Sequence, residues 1–152
     1  MRSILIGVAL GIGFAGPGVA AGSRIAARSA AVSVSEASAA AALISTYRAA
    51  HGLGPVVVDQ RLNHAAQYQA GVVAATGQLS HGDFAGRMAQ FGIRGQSAEN
   101  LGAGTQTVAD TVALWARSPG HNANLLLPGV QRIGLGRSSW SFGSSWALVL
   151  SR

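Results

Sequence analysis

Helical patterns fill this chain first and strand patterns close it, and that order limits the folds open to it. A helix begins near Glu36, where Ser33 and Glu36 stand three apart as a capping box. Leu43, Ile44 and Tyr47 mark one face of it, and Gly52, Gly54 and Pro55 end it. Val56, Val57 and Val58 form a short extended piece. Asp59 then caps a second helix running through Leu62, Ala65, Ala66, Gln69, Val72 and Val73 to Gly77. Asp83 can cap a third, short helix with Phe84, Met88 and Phe91. The stretch from Gly92 to Gly104 is rich in Gly and polar residues and reads as a loop. Val108, Val112, Leu114 and Trp115 mark a helix over 107–117, and Ser118-Pro119 fits an N-cap followed by proline at the start of another. Ile133, Leu135 and the run Trp146 to Leu150 read as two strands, with a hairpin turn across 137–145. Helices before strands, without βαβ alternation, argue for an α+β domain in which helices cover a small antiparallel sheet.

The chain has 152 residues, which suits one domain, and no Cys. Disulfides, thiolate metal sites and a cysteine nucleophile are thereby excluded. Residues 1–21 read as a signal peptide: Arg2, an apolar run from Ile4 to Ala15, then Gly16-Pro17-Gly18 and small residues, with cleavage fitting equally well after Ala20 or Ala21. The apolar run is shorter than the ~20 residues of a spanning helix, so no transmembrane anchor is expected after cleavage. The expected location is secreted or periplasmic. Residues 22–35 read as a flexible lead-in and 36–152 as the folded domain, which must be stable from its core alone.

Eleven Arg, no Lys and five acids give a net charge of +6. The arginines are scattered, with no run of three, unlike the clustered cations of a nucleic-acid surface, so no nucleic-acid partner is expected. The basic balance favours association with anionic envelope polymers or lipid headgroups. Carboxylate chemistry must draw on Glu36, Asp59, Asp83, Glu99 and Asp110. Of these, Asp59, Asp83 and Glu36 read as capping groups and Asp110 as a polar helix position, which leaves Glu99. No nucleophile elbow, His-Glu-x-x-His helix or phosphate loop is present. His51 reads as a helix-end residue and His64 as a surface one; Trp115 reads as core.

Three polar segments remain: Ser80-His81-Gly82-Asp83, Ala98-Glu99-Asn100-Leu101, and Trp115-Ala-Arg-Ser-Pro-Gly-His121-Asn122-Ala-Asn124. With Leu43-Ile-Ser-Thr-Tyr-Arg48, Gly52-Leu-Gly-Pro-Val56, Asp59-Gln-Arg-Leu62, Arg87-Met-Ala-Gln-Phe-Gly92 and Ile133-Gly-Leu-Gly136, they resemble the ordered motifs of the CAP superfamily. That superfamily holds cysteine-rich secretory proteins, venom allergens, plant pathogenesis-related proteins and many bacterial secreted members. The resemblance runs from about Leu43 to Leu150. It implies an α-β-α sandwich, with helices on both faces of a small, mainly antiparallel sheet, and a cleft that in many members is lined by two His and two Glu able to hold a divalent cation, often zinc. By position, His81 matches the first His, Glu99 the first Glu, and His121 the bacterial Pro-Gly-His residue; Asn100 adjoins Glu99 in the cleft. The second Glu position holds Ser118, and neither Asp83 nor Asp110 matches the motif in its place.

His81, Glu99 and His121 could therefore supply a three-ligand site for zinc or another divalent cation, or a hydrogen-bonded cluster in which Glu99 orients the histidines. The leading expectation is a cleft that binds a lipid or an envelope component without turning it over. A metal-dependent hydrolase or protease using the His/Glu/His set is the first alternative. The second is a structural envelope protein. Family fixes fold better than activity.

Overall fold

A computed structural model describes residues 31–152. The stretch read as a signal peptide, and the part read as lead-in up to residue 30, lie outside the described residues. The chain order is α1 (Val34–Ala49), β1 (Val57–Val58), α2 (Gln60–Thr76), α3 (Phe84–Gln90), β2 (Ser97–Ala103), α4 (Val108–Arg117), α5 (Pro119–Leu125), β3 (Arg132–Trp140) and β4 (Gly143–Ser151). No helix among the described residues is long and apolar enough to cross a membrane.

Local chemistry sets most of the boundaries. Ser33 and Glu36 form a complete capping box, so α1 starts at Val34, inside the stretch read as lead-in. The Asp59 carboxylate accepts from the backbone N–H groups of Arg61 and Leu62 at the start of α2. Gly77 ends α2 in the left-handed conformation, φ 70°, which glycine adopts without strain. Asp83 caps α3, and Thr107 caps α4 while its hydroxyl donates to Asp110. Ser118 holds the N-cap position of α5, but its side chain makes no capping bond; Pro119 at the first turn fixes the start instead.

The sheet has the order β1-β3-β4-β2, with β1 parallel to β3 and the other pairs antiparallel. Two expectations fail here. The segment read as a Gly-rich loop contains β2, paired residue for residue with β4 from Ser97↔Ser151 to Ala103↔Ser145. Its composition carries little strand propensity, and pairing with β4 overrides that. The hairpin is also tighter than expected, since β3 and β4 leave only Ser141 and Phe142 between them. The serines extend the strands because they find partners: Ser145 donates to the Ala70 carbonyl of α2, and Ser144 accepts from Arg137 Nε.

Strand alternation sorts the core into two layers. Ile133, Leu135, Trp146, Leu148 and Leu150 face one side, where they pack with Ile44 of α1, Val112 and Trp115 of α4, and Leu125 of α5. Ala147, Val149 and Leu101 face the other, against Leu62, Ala65, Ala66, Ala70 and Val73 of α2 and Met88 of α3. The result is the α-β-α sandwich. On the α2 side, β3 presents Gly134 and Gly136; a Cβ at either would lie 2.0 Å from the Leu62 carbonyl carbon or 2.2 Å from that of Ala66.

The buried stripe of α1 is Ala37, Ala40, Ile44 and Arg48, while Leu43 stays 40% exposed. Arg48 is 1% exposed and donates to the carbonyls of Gly54, Leu125, Leu127 and Val130. One guanidinium thus holds the turns after α1 and α5 together, and burial draws its pKa below the ordinary value.

Candidate functional site

The three polar segments meet at β2, the outer strand beyond β4. Alternation points Glu99 toward the α2–α3 layer and Asn100 toward α5. His81 lies in the turn between α2 and α3, and His121 in the first turn of α5. The site therefore straddles one margin of the sheet and draws on both helical layers.

Glu99 is the centre of the network, its side chain only 1% exposed. Oε1 lies 2.8 Å from His81 Nδ1, and Oε2 lies 2.5 Å from Arg87 Nη2. Arg87, on α3, also donates through Nη1 to the Gln69 amide oxygen and to the His81 carbonyl, and its guanidinium lies 5.5 Å from the centre of the Phe84 ring. Gln69 in turn donates to the Ser80 carbonyl. A chain of hydrogen bonds thus runs from α2 through α3 to β2 and fixes the turn that carries His81. Its last member is the most accessible, the His81 side chain being 54% exposed. Arg87 Nε is buried and finds no hydrogen-bond partner among the described residues.

On the α5 side the bonds hold backbone. Asn100 Nδ2 donates to the His121 carbonyl at 3.0 Å, and Asn124 Nδ2 donates to Asn100 Oδ1 and to the Glu99 carbonyl. Trp115 is fully buried and donates to the Leu101 carbonyl at 2.9 Å. Tyr47 of α1 donates its hydroxyl to Asn122 at 2.8 Å. His121 itself keeps a buried Nδ1 with no hydrogen-bond partner among the described residues. Burial first, and the nearby His81 second, push its pKa below the ordinary histidine value, so the neutral imidazole is favoured.

His81, Glu99, Asn100 and His121 are thus drawn to one place, with His81 and Glu99 in direct contact. The other polar candidates stand apart. Asp83 is occupied with the Gly86 N–H, Asp110 with Thr107, His51 with the Tyr47 carbonyl, and His64 is exposed on α2. Among the described residues no three His, Asp or Glu side chains gather into a group that could hold a metal ion. The donor set explains this. One oxygen of Glu99 is taken by His81 and the other faces a guanidinium, which repels a cation. As arranged, the residues do not fit a three-ligand metal centre.

Sequence reasoning missed Arg87, Gln69, Asn124 and Arg48 as working residues. A shared signal marks the two arginines: each sits within an apolar helical stripe, Arg48 four after Ile44 and Arg87 three after Phe84. A cation inside a core-facing stripe needs acceptors brought from elsewhere.

Beside this network, between α2 and α3, lies a groove of about 540 Å³ that includes Tyr68, Gln69, Val72, Ser80 and Arg87 in its lining. The buried ion pair and the open groove therefore share Arg87.

A helical layer on each face of a mainly antiparallel sheet, with a polar cluster at the outer strand, defines the class of domain. The chain belongs to the CAP family, the cysteine-rich secretory protein family, whose model matches residues 41–150. No curated protein matches it in sequence. Among solved structures it is similar to an outer surface protein from Borrelia burgdorferi, at 17% identity and a TM-score of 0.71, covering 82% of this chain and 98% of that one. An extracellular protein containing an SCP domain from Bacillus anthracis follows at 20% identity and a TM-score of 0.67, covering 78% of this chain and 40% of that one. A cysteine-rich secretory protein from Staphylococcus aureus matches at 16% identity and a TM-score of 0.64, covering 76% of this chain and 38% of that one. At these identities the likeness is one of fold.

Proposed function

We propose that this CAP-domain protein is exported and binds a ligand, a lipid or an envelope component, in the groove beside His81, without turning it over. The observation that carries this reading is the state of Glu99. Both its oxygens are engaged and its charge is met by Arg87, so it is held as a structural anion and not as a free base. What it holds in place is the half-exposed His81 ring, while Arg87 and Gln69, which complete the network, also line the groove. The imidazole is fixed between Ser80 and Gly82, which line a groove of amide, hydroxyl, aromatic and aliphatic groups with Arg87 and Asp83 among them, a mixture that suits recognition of an amphipathic molecule. Export is supported by the signal-like leader and by structural neighbours described as outer surface or extracellular proteins.

The test is a screen of lipids and cell-wall fragments against the wild type and the His81→Ala and His121→Ala variants. A ligand retained by the wild type and weakened in His81→Ala is expected. No ligand above background, or equal binding by all three proteins, overturns the reading. Zinc titration separates it from a metal-dependent hydrolase: addition of zinc is expected to leave the melting temperature unchanged, and a stabilisation abolished by His81→Ala would favour the hydrolase. Mass spectrometry of the protein recovered outside the cytoplasm should give an N-terminus at Ala21 or Gly22.

A further inference from the structure

We propose that a second cavity, at the opposite end of α2 from His81, is an anion site that takes a phosphate group. It has a volume of about 310 Å³ and is lined by Asp59, Arg61, Leu62, Ile93, Arg94 and Arg132, with Gly92 between the walls. α2 has 17 residues and is about 25 Å long. The cavity adjoins its first turn and His81 follows its last, so the two sites are independent.

The argument is one of charge and of which charges are already committed. Three guanidinium groups border the cavity and only one carboxylate does. That carboxylate is itself in use: Asp59 Oδ1 accepts from the Arg61 and Leu62 N–H groups at 2.8 and 3.2 Å, and Oδ2 lies 3.4 Å from Arg132 Nη1. Arg132 is held a second time by donating to the Arg152 carbonyl. Arg61 approaches Asp59 only through Nε, at 3.9 Å, which leaves its two terminal nitrogens free to turn to a ligand. Arg94 is exposed and has no hydrogen bond or ion pair with any described residue. The other four acids cannot compensate. Glu36 pairs with Arg137, Asp83 caps α3, Glu99 lies between His81 and Arg87, and Asp110 bonds Thr107. The cavity therefore keeps two guanidinium groups, those of Arg61 and Arg94, whose terminal nitrogens no described residue engages, in a chain that has very few negative charges.

Guanidinium groups bind phosphate oxygens in pairs through parallel N–H donors, and two mobile ones beside a fixed third suit a group with three oxygens to share. The apolar side chains of Leu62 and Ile93 give the carbon end of an ester a surface to rest on. The shared chemistry is a phosphate ester, which a soluble metabolite or a lipid headgroup can supply.

The test uses the purified protein, an Arg61→Ala/Arg94→Ala double variant and an Arg117→Ala control, which removes an exposed cation on α4. Arg61 and Arg94 are both exposed, and Arg132, which the fold uses, is left in place. Calorimetric titration with inorganic phosphate should show saturable binding by the wild type and the control, weakened about tenfold or more in the double variant by loss of charge-assisted hydrogen bonds. Absence of saturable binding, or an equal loss in the control, overturns the proposal. Flotation with phosphatidylcholine vesicles, with and without phosphatidylglycerol, then assigns the source. Association that needs phosphatidylglycerol and is lost in the double variant identifies a headgroup. Saturable phosphate binding without flotation identifies a soluble ester. Vesicle association that survives in the double variant places the lipid contact elsewhere and overturns the site as its cause.

Discussion

The two faces of the sheet solve the same packing problem in opposite ways. Toward α1, α4 and α5 the strands present Ile133, Leu135, Trp146, Leu148 and Leu150, and the space is filled by large side chains. Toward α2 they present Gly134, Gly136, Ala147 and Val149, and α2 answers with Ala65, Ala66 and Ala70, so that backbone nearly touches backbone. The thick layer draws its stability from buried area and suffers when atoms are removed. The thin layer draws it from close approach and suffers when atoms are added. The site lies where the two meet: Glu99 and Arg87 belong to the thin layer, Asn100 and His121 to the thick one.

The largest effect should come from adding a side chain to the thin layer. Gly136→Val would set its Cβ 2.2 Å from the Ala66 carbonyl carbon, and a loss beyond about 4 kcal/mol, or no folded protein, is expected by urea denaturation. A loss under about 1 kcal/mol would mean that α2 lifts easily and that the contrast between the layers is false. In the thick layer Trp115→Ala should cost about 3–5 kcal/mol in the same assay. A change below about 1 kcal/mol would place the ring outside the core. Ile133→Val, a single methylene on that face, should cost about 0.5–1.5 kcal/mol, and a near-zero value would show slack in the packing.

The smallest effect concerns the junction. His121 titrates below the ordinary histidine value of 6.5 in the folded protein, so below that pH the unfolded chain takes up the proton first. Stability from this group is present above about pH 6.5 and is lost as the pH falls through the folded pKa. His121→Asn should flatten that part of the pH dependence, measured by thermal melts between about pH 7 and 5. An unchanged slope would mean that the fold does not desolvate the ring. Glu36 acts in a lower window. Burial opposes its charge, but Ser33 and Arg137 outweigh that and hold its pKa below the ordinary carboxylate value.

Much of this was legible in the sequence, and the reasons differ by element. The capping residues Ser33, Asp59 and Asp83 act within a few residues of chain, so their roles are local and readable, whereas Thr107 was read as helix interior and caps α4 instead. Helix order and the last two strands follow from periodicity. β2 was not legible, because Ala98, Glu99, Asn100 and Gly102 become a strand only through pairing with residues some fifty positions later. The site divides the same way. His81, Glu99 and His121 stood out by motif, but what Glu99 does depends on Arg87, twelve residues away and on another element. The scarcity of acids pointed to Glu99 as the carboxylate to watch; its arginine partner turns a candidate metal ligand into a fixed anion.

The bonds from Trp115 to the Leu101 carbonyl and from Asn124 to the Glu99 carbonyl have a further consequence. β2 has a strand on one side only, and unpaired acceptors along such a margin offer a template on which a second chain can add. Here two side chains from α4 and α5 occupy those acceptors, while the opposite margin, β1, is only two residues long. Trp115 and Asn124 thereby leave β2 with fewer free acceptors on which another strand could add. Trp115→Phe keeps an aromatic ring but removes the donor, and should reveal itself less as lost stability than as strand-to-strand assembly of one copy upon another.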